Sequence, residues 1–99
     1  MRTRSPRPDA ASAAGAFARL AQAVELRQPD EAVRARIEAA RQACDAAAAQ
    51  AAAGERRDLL INVQAALRTW QEVWPRLGAQ ALFCAAVARE ARAWAKRFA

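Results

Sequence analysis

The side chains able to do chemistry here are two cysteines, ten carboxylates and sixteen cations, fifteen of them arginine; there is no histidine. Without histidine, neither a Ser/His/Asp nor a Cys/His nucleophilic arrangement can be assembled. Cys44 and Cys84 form no C-x-x-C pair, so a structural zinc site lacks four ligands. Both read as small buried hydrophobes in a reducing compartment, and a disulfide joining the helices that carry them is the open alternative. The three glycines stand apart, and neither a P-loop nor a G-x-G-x-x-G pattern offers a phosphate cradle. Most carboxylates lie three or four positions from an arginine, which lowers their pKa and disqualifies them as general acids. The chain is therefore expected to be no enzyme, with no cofactor, no metal and no small-molecule substrate.

Recognition remains, and two patterns could serve it. The first is cationic. Arg89, Arg92 and Lys96 share a helix face at spacings of three and four, and Arg2, Arg4 and Arg7 stand on a proline-bearing N-terminal stretch. The formal charge is +6, with both ends basic and the middle balanced. Such an excess suits polyanions, and these six residues are the candidate phosphate contacts of a nucleic-acid reading. A helix-turn-helix around Pro75–Gly78 fails on detail. The following Ala79, Gln80, Ala81 and Leu82 offer one polar side chain for base edges. Binding would instead be phosphate-directed, sequence-indifferent and salt-dependent. Fifteen arginines beside 31 alanines are also what a GC-rich coding sequence yields, so codon bias accounts for part of the charge.

The second pattern is a seam of small residues. Val33, Ile37, Ala40, Cys44, Ala47 and Ala51 recur at spacings of 4, 3, 4, 3 and 4, a heptad stripe. It either lies against bulkier helices of its own chain or accepts a helix from outside. Ala40, Cys44, Ala47 and Ala51 are the candidate protein interface. Trp74 joins them because it neighbours Pro75, where partial exposure would let an indole anchor a partner. Trp70, Trp74 and Trp94 otherwise serve as core fillers opposite alanine.

These patterns need helices to carry them. Residues 1–8 read as a flexible basic arm, and residues 9–99 as a single helical-bundle domain. A first helix is expected from Asp9 or Ser12, both good N-caps, with Phe17, Leu20, Ala21 and Val24 inward and Pro29 as its stop. A second begins at Pro29 with Asp30 and Glu31 in its first turn and Gly54 as its C-cap. Its outer face should pair Glu31 with Arg34, Arg34 with Glu38, and Arg41 with Asp45. The third, from Glu55 to Val73 or Trp74, carries Leu60, Val63, Leu67, Trp70 and Trp74. It is the most hydrophobic stretch, expected at the centre and ended or kinked by Pro75. A fourth, roughly residues 79–98, turns Phe83, Val87, Ala91, Trp94 and Phe98 inward. Short connections make neighbours antiparallel, so the fold class is all-α, an antiparallel up-down bundle of three to four helices.

The Ala21-Gln22-Ala23 triplet mimics a signal-peptidase site, but the stretch before it is too weakly apolar for a secretory segment, and no run is long enough to span a membrane. The expected setting is cytoplasmic. In composition alone the chain is similar to small basic helical subunits of bacterial protein and nucleoprotein assemblies. The leading expectation is a protein–protein interaction or oligomerisation module, either self-associating or an accessory subunit of a larger assembly. The alternative is a nonspecific nucleic-acid-binding accessory protein.

Overall fold

A computed structural model describes residues 12–99. Within these described residues four antiparallel helices make an all-α bundle: α1 (Ala13–Glu25), α2 (Asp30–Gln50), α3 (Glu55–Leu77) and α4 (Ala81–Phe98). The arm at residues 1–8, with Arg2, Arg4 and Arg7, and the alternative cap Asp9 lie outside the described residues. Ser12 is the N-cap of α1, its hydroxyl accepting from the Gly15 amide at 3.0 Å.

The apolar stripes fall where their spacing places them. Phe17, Leu20, Ile37, Leu60 and Leu67 are wholly buried, and Val33, Val63 and Val87 nearly so. Each such aliphatic or aromatic side chain contributes about 1.5–3 kcal/mol on leaving water. The inner helices, however, are α1 and α2 and not α3, for α2 too packs closely on two neighbours, α1 and α3. α1 packs closely on both α2 and α4, while α3 packs closely on α2 alone. Side-chain size explains this. Alanine and glycine clothe α1 nearly all round, so only Arg19, Gln22 and Glu25 are exposed within it and two helices approach its backbone. Between α3 and α4, aromatic bulk holds the backbones apart. Trp74 tilts against Phe83 with centroids 5.5 Å apart, and Arg56 lies over the Phe98 ring at 5.6 Å. Phe98 stacks in turn on Phe17 and Trp94, each at 6.0 Å.

Three helix ends differ from their sequence-based expectations. α1 stops before Pro29 is reached. Arg27 takes a left-handed conformation, φ 56°, and its amide donates to the Val24 carbonyl while that of Gln28 donates to Ala23. That pair of bonds is a Schellman motif with arginine where glycine is usual. Pro29 serves instead as the N-cap of α2. At the far end, α2 closes at Gln50, and Gly54, φ 145°, opens α3 rather than capping α2. Pro75 lies inside α3, which runs on to Leu77. Only the last turn follows it, so its missing donor removes one backbone bond without breaking the helix.

Candidate functional site

The alanine seam of α2 is occupied from within. Ala40 and Cys44 are wholly buried against the chain's own helices, whereas Ala47 and Ala51 are half-buried. Trp74 is buried as well, and its indole Nε1 donates to Asp30 Oδ1 at 3.3 Å. In this fold a partner can touch only Ala47 and Ala51 of the five.

Neither thiol is placed for chemistry. Both cysteines are buried and free, so the α2–α4 disulfide left open by the sequence is not formed. Burial pushes the Cys44 thiol up to about 11, leaving almost no thiolate near neutral pH. The Cys84 Sγ donates to the Gly78 carbonyl at 3.0 Å.

The expected outer-face pairing of α2 is reorganised around one carboxylate. Arg41 turns back to Glu38 instead of forward to Asp45, with Nη2 to Oε2 at 2.7 Å and Nε to Oε1 at 3.1 Å. Gln42 donates to the same carboxylate from α2 and Gln71 from α3. The bidentate Arg41 guanidinium, helped by Gln71, holds Glu38 down at about 2. A carboxyl ionised to that pH cannot donate a proton under neutral conditions. Asp45 meanwhile accepts from Gln64 of α3 at 3.2 Å. This cluster ties α2 to α3.

The cations of α4 are exposed but not equivalent. Arg92 forms a bidentate pair with Glu25 of α1, Nη2 to Oε1 at 2.6 Å and Nε to Oε2 at 3.1 Å. The guanidinium lowers the Glu25 pKa and is itself held charged. Arg92 and Lys96 also line an open groove of about 750 Å³ between α1 and α4, to which α1 adds Arg19. Arg89 is exposed and does not line it.

Two further features escaped the sequence reading. Arg19 was readable, since it falls off the Phe17–Leu20–Val24 stripe and must face outward. The exposed leucines are the other. Leu82 is 88% exposed and Leu26 62%, both at the end of the bundle where α1 closes and α4 opens. Leu82 lies five and nine positions before the inward Val87 and Ala91, which a 3.6-residue repeat puts on the opposite side of the helix. Among the described residues no group of three acidic or cysteine side chains could hold a metal ion, and no helix is long and apolar enough to cross a membrane. Comparison of the chain with protein-family models, with curated proteins and with solved structures found no match.

Proposed function

We propose that the chain is a non-enzymatic cytoplasmic interaction module, an accessory subunit that self-associates through the end of the bundle bearing Leu26 and Leu82. The supporting observation is the near-complete exposure of Leu82 at the same end of the bundle as the exposed Leu26. Two large apolar side chains at one end are a surface that association removes from water. The same end carries both charge signs, with Arg27 and Arg76 against Asp30 and Glu31. A two-fold contact presents one patch to itself, so a patch of mixed sign can be self-complementary. Sedimentation equilibrium tests this reading. The native chain should exceed its 10.7 kDa monomer mass at tens of micromolar, and should do so in 0.5 M salt, because apolar contacts are not screened. Leu26→Lys with Leu82→Lys should return it to monomer with unchanged helicity. A monomer at every concentration would sink the proposal.

A second reading, phosphate-directed nucleic-acid binding, is favoured by the exposure of Arg89 and Lys96 on one side of α4. It requires affinity that falls steeply with salt.

A further inference from the structure

We infer that the groove between α1 and α4 is a binding site for a short chain of phosphates, such as an inorganic oligophosphate. Its floor is made of the smallest side chains, Ala14 and Gly15 in the first turn of α1 and Ala95 on α4. Three cations border it: Arg19 from α1, and Arg92 and Lys96 one turn apart on α4. Among the described residues no carboxylate side chain lines it, and Glu25 meets Arg92 from outside the lining. The cleft between α3 and α4 is the instructive contrast. There Glu55 and Asp58 accompany Arg56 and Arg97, so opposite signs cancel. At about 750 Å³ the α1–α4 groove falls within the roughly 300–1,000 Å³ of small-ligand sites.

The lining also limits what the ligand can be. Among the described residues it contains, apart from Gln22, no neutral polar side chain to read a base edge, and it contains no aromatic ring. The nearby rings of Phe17 and Phe98 are buried in their own stack. A base would find neither a stacking platform nor a hydrogen-bond pattern. Phosphate oxygens would find two guanidinium forks and an ammonium. Glu25 already holds the Arg92 fork in carboxylate geometry, so an arriving phosphate must displace it. The occupied fork shows that Arg92 is set for bidentate anion contact. The ion pair itself is open to solvent, which screens it, so a multiply charged phosphate can take its place.

This inference is independent of the leucine end and confines the phosphate-directed reading to one place. It is tested by titrating the full chain with tripolyphosphate and, separately, with a twelve-residue thymidine oligonucleotide at 50 mM salt. Tripolyphosphate should bind. Arg19→Ala with Lys96→Ala should weaken it at least tenfold, and Arg68→Ala, on the exposed face of α3, should change nothing. Glu25→Gln should tighten binding about threefold by releasing Arg92, a gain that mere loss of a structural contact would not produce. Circular dichroism of each variant reports retained folding. Equal affinity across the four proteins, or no tripolyphosphate binding, overturns the groove. Binding of both ligands that is indifferent to all the substitutions overturns the groove while leaving the nucleic-acid reading standing. If neither ligand binds, both readings fail together.

Discussion

The Trp74 indole lies across Gly78: a Cβ built on that glycine would stand 2.6 Å from Nε1 and 2.7 Å from Cε2. The contact, with the indole bond to Asp30 and the Cys84 thiol on the Gly78 carbonyl, closes α2, α3 and α4 over one end of the core. Gly78 has ordinary helical dihedrals. It is required for its lack of a side chain and not for conformational freedom. Gly78→Ala should cost about 1–3 kcal/mol, the usual penalty for overpacking. Thermal melts would show the loss, and a red-shifted tryptophan emission would show the indole pushed toward water. An unchanged melt would mean that Trp74 has room to move.

Arg27 makes the opposite prediction. A non-glycine residue in the left-handed region carries about 1–2 kcal/mol of strain. Glycine relieves that strain but gives up more chain entropy. Arg27→Gly should therefore stabilise the bundle by about 1 kcal/mol, raising Tm by about 4–8 °C. A fall in Tm would show that the arginine side chain holds the turn.

Glu38 sets a pH dependence. Its folded pKa, about 2, lies below the ordinary 4.5, so the ionised form favours the fold. The stabilisation is complete above about pH 4.5 and disappears as pH falls toward about 2. Glu25 is lowered too and titrates in the same sense, so the measurement must be a difference. The Glu38 side chain is about one-third exposed, and solvent screening limits the effect to roughly 1 kcal/mol. Denaturant midpoints of the native chain and Glu38→Gln should differ at pH 7 and converge near pH 2. A gap independent of pH would refute the assignment.

The seam gives a packing test. Ala40 is wholly buried and Ala49, on the same helix, is exposed. Ala40→Leu should destabilise by about 1–3 kcal/mol, whereas Ala49→Leu should stay within about 0.5 kcal/mol. If both are neutral, α2 does not lie against its own chain as described.

Periodicity carried most of the architecture. The heptad from Val33 to Cys44 and the stripe from Leu60 to Trp74 are buried because a 3.6-residue repeat gathers them on one face, whatever that face packs on. What periodicity cannot state is the identity of the neighbour. The same alanines could have met a foreign helix, and only the three-dimensional arrangement shows α2 using them at home. The inner place of α1 and α2 was hidden for a related reason. Alanine scores low as a hydrophobe, but it lets backbones approach, so the alanine-rich α1 and α2 take the inner positions. Arg41 had acceptors at both Glu38 and Asp45, and Gln71 and Gln64, each on α3, bind those two carboxylates. Such long-range choices leave no local trace. Of the candidate site, the α4 cations were legible, while the groove needed α1 beside them to add Arg19.

Ala14 and Ala99 border one groove, so the described backbone returns to the place where it set out. Bringing α1 onto α4 therefore means closing nearly the whole chain into a loop, the slowest kind of contact to find. Splicing the two ends of the described chain with a short flexible linker, and cutting instead at residues 79–80, between the two helices whose backbones stay apart, would turn that distant pairing into a hairpin between sequence neighbours while keeping α2 next to α3. The rearranged polypeptide should reach the same bundle faster, its helices meeting in a new order around an unaltered centre.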